Sequence, residues 1–316
     1  MFDENNLQIL FMSVDNEKGI NMYYISFDIG GTMVKYALLD KVGHILKRNQ
    51  FPTMHSSKTD FYDSLIDIIK QFESDYQING IGISMPGVID PSTGKSIMAG
   101  ALYKLYGENI KKYLENEISY PVYIENDANC ALLAEKFRGN ARNESNVLLL
   151  TIGTGIGGAI LVEDSLVHGQ GFKAGEFGMM RIDTSRHPNT TLHELASTSA
   201  LIQFYKEAFN IPEDVGIDGK TIFEKMAKDK MVKEIVNQWL HYLVTGIFNI
   251  AVTMNPGKIL IGGGISENPK LLPLVLEKIE ENEHWNDFKT PIDTCKFKNN
   301  SGLIGALYNV LQQESN

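Results

Sequence analysis

FDIGGTMVKYALLD, residues 27–40, is the stretch on which the fold turns. It closes an apolar run that begins at Tyr23, breaks at Gly30-Gly31-Thr32 and resumes at Met33, so it reads as strand, tight turn, strand. A polar turn at 40–43 and a third strand at 44–51 follow. Residues 60–72 then place Phe61, Leu65, Ile68 and Ile69 at helical spacing, and a short strand at 80–84 stops at Pro86-Gly87. The same phrase returns as TIGTGIGGAILVED at 151–164. There a buried strand at 146–152 enters a glycine turn at 153–158, and strands at 159–162 and 166–168 come next. A repeated strand–turn–strand opening implies two related lobes with a cleft where the glycine turns meet.

The rest of the chain reads as an α/β protein. Residues 231–254 form a long helix with Val232, Ile235, Trp239, Leu243, Ile247 and Ile250 on one face, ended by Pro256-Gly257. A strand at 258–261 runs into Gly262-Gly263-Gly264, and helices at 271–282 and 303–312 complete the pattern. This gives an N-terminal lobe at 22–120, a C-terminal lobe at 121–302, and a last helix, 303–316, packing near the first lobe. Residues 1–21 carry no sustained period and are expected to lie outside the fold, with Met22 as the functional start.

Composition narrows the function. Hydrophobic residues make up 43% and charged residues 22% of 316, ordinary values for a globular protein. A net charge of -10 disfavours an electrostatic grip on nucleic acid or anionic membrane. It does not exclude ATP, whose phosphates can be held by magnesium and backbone dipoles. Cys130 and Cys295 are the only cysteines, too few for a disulfide framework, so a reducing cytoplasm is expected. No apolar run is long enough for a membrane span.

Three glycine turns follow strands, at 30–32, 153–158 and 262–264. Glycine lets backbone N–H groups approach phosphate oxygens closely. Any one such turn is ordinarily just a turn; three, two of them in matching modules, point to a nucleotide. The Walker A pattern is absent. Gly153, Gly155 and Gly158 satisfy G-x-G-x-x-G, but a strand follows where a dinucleotide site needs a helix, so the Rossmann reading loses. Asp28 and Thr32 flank the first turn, suited to a magnesium-bound water and a phosphate oxygen, though an aspartate there can simply cap the turn. Asn126 and Asp127 open a helix at 128–137. A helix N-terminus favours an ionised carboxylate able to take a proton, although a plain cap would use the same residues. Glu176 lies between Gly175 and Gly178, where a carboxylate could accept from two sugar hydroxyls.

Together FDIGGTMVKYALLD, GISMPGVID, ENDANCALLAE, LTIGTGIGGAI, GEFG and ILIGGGIS resemble the ROK family of sugar kinases and repressors, from about Met22 to the C-terminus. The resemblance implies the two-lobed, actin-like (ribonuclease H-like) fold, a duplicated β-β-β-α-β-α module with a central cleft. It implies ATP and Mg2+ as cofactors, a sugar as partner and a homodimer. By motif, Asp28, Gly30, Gly31, Thr32 and Lys35 form the first phosphate segment, and Gly153, Thr154, Gly155 and Gly157 the second. Gly262, Gly263 and Gly264 lie against the adenosine. Asn126 and Glu176 bind sugar hydroxyls, and Asp127 is the general base. A family glutamate that also binds sugar falls at His193, with Glu194 one position off, so either can reach the sugar. Met179 replaces a zinc-binding histidine, and 183–195 holds no cysteine, so no zinc site is expected. Members without that site resemble β-glucoside kinases, which makes a hexose or β-glucoside acceptor, phosphorylated at the 6-hydroxyl, the expectation. The rival is a sugar-sensing repressor, which needs a helix-turn-helix; about twenty residues ahead of the first strand are too few for one.

Overall fold

The computed structural model describes residues 22–100, 102–183, 185 and 189–315; the extension expected at 1–21 lies outside them. Strand β1 (Tyr23–Ile29) pairs antiparallel with β2 (Met33–Asp40), which pairs antiparallel with β3 (Ile45–Pro52). Helix α1 (Lys58–Glu73), capped by the Ser57 hydroxyl accepting from the Asp60 N–H, leads to β4 (Ile78–Met85), parallel to β1. A small hairpin of β5 (Val88–Asp90) and β6 (Lys95–Met98) and helix α2 (Ile110–Glu117) precede β7 (Val122–Asn126), parallel to β4. The sheet order is β3-β2-β1-β4-β7. Helix α3 (Asp127–Arg138) follows.

The second half repeats this plan. Strands β8 (Val147–Ile152), β9 (Ile156–Val162) and β10 (Ser165–Leu166) are antiparallel. Four helices come next: α4 (Leu192–Ala196), α5 (Thr198–Ala208), α6 (Gly219–Lys225) and α7 (Lys230–Met254). Then β11 (Lys258–Gly262), α8 (Leu271–Ile279), β12 (Ile292–Thr294) and α9 (Ser301–Glu314) close the chain. The order β10-β9-β8-β11-β12 matches the first sheet strand for strand. This is the duplicated, two-lobed plan that the repeated phrase implied, and the actin-like fold that the family resemblance implied.

Alternation along the central strands explains the layering. In β1, Ile25, Phe27 and Ile29 join Phe61, Leu65 and Ile69 of α1 in one core, while Tyr24 turns the other way toward Leu303, Leu307 and Val310 of α9. In β8, Leu148, Leu150 and Ile152 face Trp239, Leu243 and Ile247 of α7, while Val147 and Leu149 face Ala128, Ala131 and Leu132 of α3. Helices α3 and α9 pack on one another between the sheets. The last helix of the chain therefore lies on the first sheet.

Several boundaries differ from the sequence reading; the second glycine turn is shorter than 153–158, because β9 already starts at Ile156. A division at 120/121 falls one strand early, because β7 is hydrogen-bonded to β4 of the first sheet from Val122 to Asn126. The parallel crossover through α2, invisible in local pattern, places it there. The third strand of the second half spans Ser165–Leu166 rather than 166–168, with one further backbone bond from the Val167 N–H to Ile160 O (2.9 Å) beyond it.

Glu135 stitches this layer together. It is completely buried in α3 and accepts from the backbone N–H groups of Asn140 (2.7 Å), Lys296 (2.7 Å) and Phe297 (3.0 Å). Charge-assisted bonds of this kind are strong, so Glu135→Ala is expected to cost roughly 3 kcal/mol, read as a lower urea midpoint. An unchanged midpoint would refute this account of the carboxylate.

Candidate active site

Asp28 shares the face of β1 that looks toward α9, and its strand neighbours in register hold it. Lys35 on β2 places Nζ 3.1 Å from Asp28 Oδ2, and Ser84 on β4 donates to Oδ1 at 3.1 Å. Lys35 also donates to Asn299 Oδ1 (2.8 Å), just ahead of α9. Gly302 sits so close that an added Cβ would lie 2.2 Å from Asp28 Oδ1; only glycine lets α9 begin here. The turn beside Asp28 is fastened from outside. Thr53 donates to Gly30 O through its hydroxyl (2.7 Å) and to Thr32 O through its N–H (2.9 Å), and His55 Nε2 lies 2.7 Å from Gly31 O. The Thr32 side chain is left exposed.

The second turn joins β8 to β9. Gly153 N–H donates to Gly155 O (2.8 Å), and Gly153 O accepts from Thr198 at the start of α5 (2.9 Å). Thr154 is exposed. Gly157 is seated between the Thr151 hydroxyl and the Ala128 methyl, which puts the turn next to the first residue after Asp127.

At the end of β7, Asn126 caps α3, its Oδ1 accepting from the N–H groups of Ala128 (2.8 Å) and Asn129 (3.1 Å). Its amide nitrogen donates to Gly87 O (2.8 Å), beyond the Pro86-Gly87 break. Asp127 Oδ1 accepts from the Ala128 N–H at 2.8 Å. Its side chain is reached by solvent along the cleft, yet both lobes crowd it. That crowding drives the carboxyl pKa up to about 6; the Ala128 N–H opposes the shift, and the carboxylates of Asp28 and Glu176 add to it. The open side of the cleft sets a ceiling on the effect.

Glu176 is exposed at the head of a 3-10 turn (Phe177–Met179), near enough to act on Asp127 through its charge. The sugar candidates at 193 and 194 separate. The His193 ring lies against Gly155, where an added Cβ would meet its Cε1 at 2.3 Å. Glu194 instead closes a capping box, with Oε2 accepting from the Thr191 N–H (2.8 Å) and hydroxyl (3.1 Å). The structure thus gives Glu194 a local structural task and leaves His193 at the glycine turn.

Asp28, Lys35, Asp127, Gly262, Gly263 and Gly264 line one cavity of about 240 Å³ between the lobes. Asn126, Glu176, His193 and the turn residues Gly30, Gly31, Thr32, Gly153, Thr154, Gly155 and Gly157 do not line it. Gly264 and Glu267 are shared with a second cavity of about 660 Å³, walled by Thr198, Phe223 and Lys270. A wide apolar chamber thus opens into a narrow polar one that ends at a raised-pKa carboxylate. Sequence reading missed Thr151, Asn299 and Gly302 in the polar chamber and Thr198 and Phe223 in the apolar one. Asn299-Asn300-Ser301-Gly302, a polar helix start with a glycine inside it, was the available signal.

Comparison with known proteins agrees with this geometry. The ROK family matches residues 24–313. A beta-glucoside kinase of Listeria innocua is 36% identical over 302 residues, covering 93% of this chain and 99% of its own. One from Klebsiella pneumoniae is 35% identical over 295 residues, covering 92% and 97%. A crystal structure of a ROK family protein from Streptococcus pneumoniae in complex with sucrose superposes with a TM-score of 0.84 at 30% identity, over 93% of this chain and 99% of that one.

Proposed function

The chain belongs to the ROK family and is an ATP-dependent sugar kinase, and we propose that its acceptor is a β-glucoside, phosphorylated on the 6-hydroxyl with Asp127 as general base. The observation that carries the catalytic assignment is the single polar chamber in which Asp127 shares walls with Asp28, Lys35 and the Gly262–Gly264 turn.

The adenosine occupies the 660 Å³ chamber, and the phosphates pass the shared Gly264 toward Asp28 and Lys35. The Gly30–Thr32 and Gly153–Gly157 turns flank them. Lys35 presents its ammonium to the transferred group. Asp28 fits magnesium carried on those phosphates: it is a cleft-side carboxylate held by Ser84 and Lys35, suited to a metal-bound water. Magnesium, when bound, offsets charge on the phosphate oxygens. On the sugar side, Asn126 and Glu176 take hydroxyls, and His193 is a further contact. Asp127 removes the 6-hydroxyl proton as that oxygen bonds to the γ-phosphorus. The bond from phosphorus to the bridging β–γ oxygen breaks, and ADP leaves with the electron pair. Closure of the lobes excludes water that would otherwise hydrolyse ATP. Buried, unpaired thiols at Cys130 and Cys295 suit a reducing cytoplasm, and a homodimer is the assembly expected.

The acceptor is tested by coupled ADP release over glucose, N-acetylated hexosamines and β-glucosides. We expect kcat/KM for a β-glucoside to exceed that for glucose by about tenfold, a difference that one or two pocket contacts can supply. Turnover confined to N-acetylated sugars would reject the assignment.

A further inference from the structure

The two halves of the acceptor site come from different lobes. Asn126 and Asp127 sit where β7 of the first sheet enters α3, whereas Glu176 sits on the loop after β10 of the second. One contact joins them. Glu125, only 2% exposed, accepts at Oε1 from the Asn126 N–H (2.7 Å) and from the Asn129 side chain (2.8 Å). Its Oε2 lies 2.7 Å from His168 Nε2, 43 residues away in sequence. The carboxylate thus holds the first turn of α3 with one oxygen and the opposite loop with the other.

His168 is fixed to that loop through its backbone. Its carbonyl accepts from the Ala174 N–H (3.1 Å), closing a small ring that contains Gly169 (φ 71°) and Phe172 (φ 56°), both left-handed. Ala174 is followed by Gly175 and Glu176. A displacement of the imidazole is therefore passed through this ring to Glu176. The hydrogen bond that His168 donates to Glu125 raises the imidazole pKa against the effect of its burial, with the Glu125 and Asp90 charges adding to it, which favours the charge-assisted form of the contact.

We propose that His168 is a positioning residue for the sugar acceptor: by gripping Glu125 it sets Glu176 in register with Asn126 and Asp127 across the lobe junction. The proposal rests on the reading that these three residues hold the sugar. His168 touches neither the nucleotide chambers nor the proton to be moved, so its loss acts on sugar affinity and spares the nucleotide.

The test is steady-state kinetics of the full chain, with an aryl β-glucoside and glucose as acceptors, for His168→Leu, His168→Gln, Glu125→Gln and Glu125→Gln/His168→Leu. In His168→Leu, sugar KM rises about tenfold to hundredfold, the worth of one charge-assisted hydrogen bond, while the KM for ATP is unchanged and kcat moves less than about threefold. His168→Gln keeps an N–H donor and recovers most of the sugar affinity. The double variant is no worse than the more damaged single one, because both changes remove the same contact. An unchanged sugar KM in His168→Leu, or sugar and ATP KM rising together with a lowered melting temperature, overturns the proposal. If His168→Leu does not fold, His168→Gln decides: an affinity for sugar no better than that of Glu125→Gln overturns it as well. Absence of sugar-dependent ADP release by the unmodified chain would instead overturn the kinase reading, and this proposal with it.

Discussion

Asp127→Asn is expected to lower kcat by about 10²–10⁴-fold while the KM values for sugar and ATP stay within a few-fold. The substitution is nearly isosteric. The new amide oxygen can still accept from the Ala128 N–H, and the Asn126 cap is untouched, so α3 keeps its start. Only the capacity to take a proton is lost. The raised pKa adds a second arm. The base works ionised, so kcat/KM of the unmodified enzyme falls as pH drops through about 6, and the residual activity of Asp127→Asn does not follow that profile. A third arm is stability. The folded state holds this proton up to about 6 and the unfolded chain only to 3.8, so unmodified stability declines as pH rises through that window. Asp127→Asn escapes the decline. It should be the more stable protein at pH 7, with the difference closing below about pH 4. Near-normal turnover by the variant would remove Asp127 from the mechanism, whatever its fold.

Motifs whose meaning is local were legible in the sequence. The turn at Gly30–Thr32 follows from a broken apolar run, and the parallel with Gly153–Gly158 gave the duplicated lobes, because each phrase sets its own strand, turn and strand. Glu194 was also decidable locally: Thr191 three residues ahead makes the capping box, a pattern the sequence reading passed over in favour of the sugar. What could not be read depends on contacts between distant segments. The strand β7 belongs to the first sheet only because it pairs with β4, on the far side of a long crossover. Phe223 and Lys270 wall the larger cavity from two unrelated elements, and neither carries a motif. Glu125 and His168 look like a strand residue and a loop residue until the lobes are assembled. The chemistry was written in short phrases, and the walls that confine it are made by tertiary packing.

The second large effect is expected at Gly305, which lines neither cavity. In an isolated helix, Gly→Ala stabilises by about 1 kcal/mol, so propensity alone favours Gly305→Ala. Packing reverses the sign. An ideal Cβ at Gly305 would fall 1.8 Å from the carbonyl oxygen of Cys130 and 2.7 Å from its Cα. Those are backbone atoms of α3, which cannot swing aside as a side chain can. Helix α9 is also held from behind, since Gly82 of β4 is pressed against the backbone carbonyl of Ala306. The added methyl must therefore push α3 and α9 apart. Overpacking of this kind costs typically 1–3 kcal/mol and more where backbone must move, so we expect a net loss of at least about 2 kcal/mol in Gly305→Ala. The loss should carry a kinetic signature as well. Cys130 lies one helical turn beyond Asp127, and Gly302, one turn before Gly305, abuts the Asp28 carboxylate. Spreading the helices thus moves Asp127 and Asp28 apart, and kcat should fall about tenfold or more even where the variant remains folded. Gly216→Ala, with nothing within 4 Å of the added methyl, is the control and should match the unmodified protein in urea midpoint and kcat. If Gly305→Ala behaved like that control, the tight α3–α9 crossing would not be what holds the two lobes in register.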